Sequence, residues 1–284
     1  MKACFERIET AGASCAIYRD APQWEQQHTA AIGQFSCESR EAGIALLNDI
    51  NFRLHQEEFK AVIGPMDGDT WHRYRVVSQS DNSPPFFLEP TSSPHDFLAF
   101  EGAGFHVISD YTSAKAKLTD AIEGSSPFQA EGITVRTWDG NNTMQFLEKL
   151  FAISSARFSS NAFYKPITQE AFLTLYEPVL KVVDRRLVFF AYSNEQDIVG
   201  FLFGLPDVLQ GPNPEAAIIK TYASLRKGAG RALMDAFHHT ALNLGYSHVI
   251  HALMHQDNIS RNRSALHNTT TFRHYALMGK RLPQ

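Results

Sequence analysis

The 284-residue chain has only three cysteines, Cys4, Cys15 and Cys37, all within the first forty positions and with no C-x-x-C pair among them. An odd count so arranged offers neither a disulfide framework nor a zinc ligand set, and the three read as free thiols. No run of about 18 apolar residues is present, so a membrane-spanning helix is not expected. The opening MKACFERIETAGASC lacks the continuous apolar core of a secretory signal, which makes a cytoplasmic location the expectation. An excess of positive charge is missing too: 26 Lys and Arg against 30 Asp and Glu give a formal net charge of −4. Without a broad basic field, a nucleic-acid partner is not expected, and small ligands fit better. His238, His239, His248, His251 and His255 are scattered without an H-E-x-x-H pattern, and strand alternation aims His248 and His251 at opposite faces. Metal dependence is therefore not expected.

At this length and 44% hydrophobic content, the chain reads most easily as two domains. The polar, turn-rich stretch Glu123–Gly132 (EGSSPFQAEG) separates them, giving a first lobe at 1–122, a linker at 123–132 and a second lobe at 133–284. In the second lobe, Ile133–Trp138 alternates as a strand, and Thr143–Phe158 and Thr168–Val183 have helical patterning. Leu187–Tyr192, Ile198–Leu205, Ala216–Ala223 and Tyr246–Met254 are apolar runs of strand length, and Thr271–Leu282 reads as the closing strand. In the first lobe Ala30–Cys37 reads as a strand, Glu41–Leu54 as a helix with Ile44, Leu47, Ile50 and Leu54 inward, and Ala61–Pro65 as a short strand. Phe97–Ser109 reads as a helix that ends at Gly-x-Gly-Phe and feeds another strand. The fold class is a mixed α/β arrangement.

The most informative segment is Ile218–Leu233, IIKTYASLRKGAGRAL, where an apolar strand enters a basic, glycine-containing turn that opens into an amphipathic helix. The first N–H groups of a helix have no intrahelical partner and the macrodipole there is positive, so the turn suits a pyrophosphate. Gly228 and Gly230 allow close approach, and Arg226, Lys227 and Arg231 surround them. The helix buries a stripe of Ala229, Ala232, Leu233, Ala236, Phe237, Ala241 and Leu244, with Arg231, Asp235 and His238 on other faces, and Gly245 suits its C-terminus. A dinucleotide fingerprint fails because position 233 is Leu233 and no acidic ribose ligand follows at the right distance; a Walker loop is absent.

Leu225-Arg226-Lys227-Gly228-Ala229-Gly230 resembles the Q/R-x-x-G-x-G/A motif that follows the fourth strand of the GCN5-related N-acetyltransferases, with Leu225 where that family has Gln or Arg. The resemblance spans nearly all of 133–284 in element order. It implies the acyl-CoA N-acyltransferase fold, acetyl-CoA or another acyl-CoA held at 226–232 (Ala229 and Ala232 included), and acyl transfer to an amine. It also implies that Tyr222 and Ala223 pair with the pantetheine arm and polarise the thioester carbonyl, and that Asn258 contacts the cofactor's amide chain. Ala265 stands where the family often places a Tyr general acid. The first lobe resembles a degenerate second copy, as in mycothiol synthase and the N-myristoyltransferases; the alternative reading is a structurally unrelated substrate-binding lobe. Its helix is preceded by Glu38 and Glu41 rather than paired glycines, so CoA binding there is not expected.

Acyl transfer to an amine requires alignment, deprotonation of the ammonium and polarisation of the carbonyl. The candidate bases are His255, then Glu215 and Tyr275, each of which also fits a structural role. Asn161 and Tyr164 either reach an acceptor or cap and pack the loop between the first two helices of the second lobe. Trp71, His72, Arg73 and Tyr74, beside Arg75 in a turn-rich stretch, suit either an anionic acceptor, a small-molecule amine or peptide, or an interlobe contact. The proline-rich Ser83–Pro94 reads as a lid or a rigid connection. Two other functions compete: a non-catalytic acyl-CoA sensor, and an aminoacyl-tRNA-dependent transferase, which calls for a basic channel.

Overall fold

The computed structural model describes residues 5–122, 124, 126–257, 264 and 267–283. The first half forms strands β1 (Glu6–Thr10), β2 (Ala13–Tyr18) and β3 (Thr29–Cys37), helix α1 (Arg40–Gln56), then β4 (Ala61–Gly64) and β5 (Val76–Ser80). Helix α2 (Asp96–Gly102), β6 (His106–Lys117) and the short α3 (Leu118–Ala121) complete it. The second half runs β7 (Ile133–Thr137), α4 (Thr143–Phe158), α5 (Gln169–Leu180), β8 (Val188–Ser193) and β9 (Ile198–Pro206). It continues with β10 (Ala216–Ser224), α6 (Ala229–Asn243), β11 (His248–His255) and β12 (Thr270–Arg281).

Every element expected from the sequence is present, and β1, β2, β5 and α3 are additions. Their sequences explain the omission. Strand β1 is mostly exposed, β2 consists largely of small residues, and β5 holds a single fully buried side chain, so none carries a clear apolar period.

The strands form one mixed sheet in the order β1-β2-β3-β4-β12-β6-β11-β10-β9-β8-β7, with β5 also paired to β12. Among the described residues only β3·β4 and β10·β11 are parallel, and each parallel pair is bridged by a helix, α1 or α6. The last strand does not close its own half. Strand β12 pairs with β4 of the first half, Gly279 opposite Ile63, while β6 of the first half takes the free edge of β11, Val249 opposite Ala116. The two donated strands then pair with each other at the centre, Tyr275 opposite Tyr111. The arrangement is a reciprocal exchange of strands between the halves.

Packing follows the alternation of the strands. Ala217 and Ile219 of β10 face α6 with Leu233 and Phe237, whereas Ala223 faces α4 and α5 with Phe146, Leu150 and Phe172. Helix α1 sets Leu46, Leu47, Ile50 and Leu54 into the first-half core, each contributing about 1.5–3 kcal/mol by leaving water. Its start is capped by Ser39, which accepts the Ala42 N–H at 3.1 Å. Helix α6 ends as its sequence predicts: Gly245 has φ 92°, and the Tyr246 N–H donates to Ala241 O. Two α6 residues off its apolar stripe are nonetheless buried, Asp235 at 4% exposure and His238 at 0%. Asp235 accepts the Phe128 N–H of the interlobe connector, and His238 stacks on His251 of β11, so this helix is covered on more than one side.

Candidate functional site

The site begins where two parallel strands part. Strand β10 pairs with β11 only from Ala216 to Ile219, opposite His248 to His251, although the strands continue to Ser224 and His255. Each carries an extra residue at the parting. Lys220 is the bulge of β10 against β9, and Leu253, at φ 55°, lies in the bulge of β11 against β6. A bulge bends its strand and increases local twist, so the pair of them opens a wedge. The Leu253 N–H is drawn aside to Ser113 Oγ at 3.0 Å. Along the wedge, the β10 stretch from Thr221 to Ala223 lies beyond the end of the β11 ladder.

At the end of β10 the chain turns into α6. Gly228 takes φ 90°, a conformation that costs other residues strain, and Arg231 and Ala232 donate back to its carbonyl at 3.1 and 3.0 Å. Among the described residues, no protein acceptor meets the N–H groups of Lys227, Gly228 or Gly230. Ala229, Gly230 and Ala232 are buried and small, while Arg226 and Lys227 are exposed. Unpaired amides, small residues and the positive helix end fit a diphosphate. Arg231 is exposed, and its guanidinium stacks 4.1 Å above the Phe128 ring.

A polar cluster drawn from both halves adjoins the parting through Lys220, which meets Leu88 O, and Leu253, which meets Ser113. Tyr275, fully buried, donates to Glu89 Oε1 and lies 3.0 Å from Ser113 Oγ. Arg273 donates to Glu89 Oε2 at 2.8 Å, and the Phe86 N–H donates to the same oxygen at 3.0 Å. Burial beside the Glu89 carboxylate pushes the Tyr275 phenol well up, so it stays a proton donor. Lys220 is half-buried, its Nζ 3.4 Å from Leu88 O, and burial with help from the Arg75 charge pushes its ammonium down to about 7. Arg75 sets its guanidinium carbon 3.9 Å from the centroids of both the Tyr74 and the Tyr111 ring, which meet edge to face, and donates to Tyr74 Oη. His255 packs its ring on Tyr111 at 5.0 Å. Its Nδ1 accepts the Asp257 N–H at 3.2 Å, which leaves Nε2 to donate to Ser109 Oγ at 3.0 Å. Burial lowers its pKa, and the Arg75 charge adds to the effect.

The remaining candidates are spread out. Tyr222 and Ala223 line the wedge, with Ala223 buried. Glu215 precedes β10 at the far end from the turn, seven residues and roughly 20 Å from Tyr222 along an extended strand, in a surface groove with Lys115, His248 and Phe272. Trp71 reaches into the second half, donating Nε1–H to Lys165 O at 2.8 Å and meeting Phe172 edge-on at 5.6 Å and Tyr164 at 6.0 Å. Asn161 is exposed, and its carbonyl accepts the Tyr164 N–H at 3.2 Å. His72 pairs with Asp69 at 2.8 Å, Arg73 donates to Thr91, and Tyr74 packs edge-on against Tyr111. Asn258 and Ala265 lie outside the described residues.

The sequence reading did not single out Lys220, Glu89 or Arg273. Lys220 had a signal, a lone charge inside the apolar run AAIIKTYA; Glu89 had none, because it sits in the proline-rich stretch. That stretch bridges the halves, its Phe87 N–H donating to Asp207 at 2.9 Å and its Glu89 receiving Arg273.

No protein-family model matches the chain, and no curated protein matches it in sequence. Solved structures do match it in shape. A GCN5-related N-acetyltransferase from Sphaerobacter thermophilus aligns over 96% of this chain and 78% of its own, with a TM-score of 0.56 and 16% identity. A tandem protein of the same fold from the clavulanic acid biosynthesis pathway aligns over 96% and 80%, with a TM-score of 0.58 and 14% identity. A conserved Enterococcus faecalis protein of unknown function aligns over 95% and 59%, with a TM-score of 0.53 and 9% identity. With its parted parallel strands and its helix-bridged pair in each half, the chain has the two-lobed fold of the GCN5-related N-acetyltransferases.

Proposed function

We propose that the chain is an N-acyltransferase that moves an acyl group, acetyl in the simplest case, from acyl-CoA to an amine in the cleft between its halves. The observation that carries this reading is the wedge between β10 and β11 leading directly to the unpaired amides of the Gly228 turn. One strand edge and one helix end thereby offer partners for a pantetheine arm and a diphosphate. Lys227, Gly228 and Gly230 hold the diphosphate through main-chain N–H groups, Arg226 and Lys227 add charge, and Tyr222 and Ala223 align the arm and polarise the thioester carbonyl. The bound acyl-CoA supplies an activated carbonyl.

The acceptor enters from the side of Tyr275 and His255. His255 is neutral at neutral pH and takes the ammonium proton at Nδ1, exchanging the Asp257 N–H for the substrate. The proton-bearing Tyr275 positions Glu89 and Ser113 at the cleft wall. The first half does not bind CoA in this scheme: Ser39 already caps α1, and Glu41 occupies its first turn. Metal plays no part in it. The sensor reading draws support from the two hydrogen bonds that engage both His255 nitrogens.

Thermal denaturation with CoA and acetyl-CoA tests the site. The ligands raise the midpoint by mass action, and Gly230→Asp abolishes the response. A wild-type protein that ignores both ligands refutes the proposal. Thiol release from acetyl-CoA across a panel of amines then separates transferase from sensor, since only a transferase shows amine-dependent turnover.

A further inference from the structure

Arg75 and Lys220 lie close enough for their charges to interact, and neither has an ion-pair partner among the described residues. Arg75 is 9% exposed, its Nε has no hydrogen-bond partner, and its backbone is held at φ 87° in a region costly for a non-glycine residue. Lys220 sits at the β10 bulge, close enough for the Arg75 charge to act on it. Among the described residues, no carboxylate lies within 4 Å of either group. The acid whose charge reaches Lys220, Glu89, is spent on Arg273, Tyr275 and the Phe86 N–H. Asp110 and Asp257 act on His255 instead. Burying an unpaired guanidinium beside an ammonium is unfavourable, and such an arrangement persists where a ligand supplies the missing charge.

We propose that Arg75 and Lys220 bind a carboxylate carried by the substrate, so that the enzyme acts on an amine that is also an acid or on an acyl group ending in one. The inference rests on the transferase reading and narrows its substrate class. Arg75 is held for the task by its contacts with the Tyr74 and Tyr111 rings and its bond to Tyr74 Oη, and among the described residues its Nε has no hydrogen-bond partner. Lys220 sits at the bulge where β10 parts from β11, which places this carboxylate at the head of the wedge.

The test uses the full chain and matched probes. Thiol release is followed with acetyl-CoA and primary amines in sets of three: amino acid, its amide, and the amine lacking either group. A parallel arm compares succinyl-CoA with acetyl-CoA on a neutral amine. We expect kcat/KM to favour the carboxylate member by about 10- to 100-fold, in the first arm if the acceptor carries it and in the second if the acyl chain does. Lys220→Met and Arg75→Gln should erase the preference chiefly through KM, while the thermal response to CoA persists. Arg75→Gln reports only if it folds; the half-buried Lys220→Met stands as the independent variant. Equal rates across both arms overturn the inference and leave the transferase reading intact. Where no amine turns over, thermal shifts of the CoA complex by the amino acids against their amides decide the matter. Equal shifts overturn the inference, and loss of all response to CoA overturns the parent reading instead.

Discussion

A single backbone angle decides much of the turn that leads from β10 into α6. Gly228 sits at φ 90°, and a Cβ there would come 3.0 Å from the Ala130 Cβ of the connector. Gly228→Ala should therefore destabilise the fold by about 1–2 kcal/mol and weaken CoA binding, read by urea midpoint and by calorimetric titration. A second residue-scale consequence lies behind the same helix, where His238 and His251 stack with Nε2 atoms 3.0 Å apart in the interior. Burial pushes the His251 pKa from 6.5 to about 3 and that of His238 well down, its neighbours' charges adding to the effect. In the unfolded chain both take protons near the ordinary value, so below it the unfolded state binds more protons than the fold. Stability should fall as pH drops, with His251 alone accounting for about 2 kcal/mol between pH 6.5 and 5. Urea unfolding at several pH values checks this, and His251→Asn should flatten the slope.

Among the elements, legibility tracked period and punctuation. Helices α1, α4 and α6 were readable because their apolar stripes and ends agree, and β10 because it is an apolar run stopped by Arg226 and Lys227. The parting of β10 from β11 was not readable, because it depends on bulges at Lys220 and Leu253 that no local pattern announces. The polar cluster was hidden for the same reason: Glu89, Arg273 and Ser113 meet only because β6, β12 and the proline-rich stretch converge. Trp71 illustrates a residue whose two sequence readings were equally open and whose neighbours lie in the α4–α5 region. Trp71→Ala should cost about 3 kcal/mol, removing a large ring and the bond to Lys165 O. Hydrogen exchange should show the loss concentrated in α4 and α5.

For the molecule as a whole, the strand exchange ties the halves into one unit. Each half lacks the strand that covers its own parallel pair and finds it in the other, β12 on β4 and β6 on β11. Calorimetry should record a single cooperative transition, unlike chains whose lobes melt separately; two resolved transitions would refute this. Residues 1–122 or 133–284 made alone should fail to give a folded product, since each exposes a strand edge at its centre.

The crossed ends of β6 and β12 also resemble a pair of clasped hands. A protease cutting between Ala121 and Ile133 would break the covalent link and still leave two fragments interlocked, because separating them means unzipping four ladders at once. The nicked pieces should travel together through gel filtration and come apart only in denaturant.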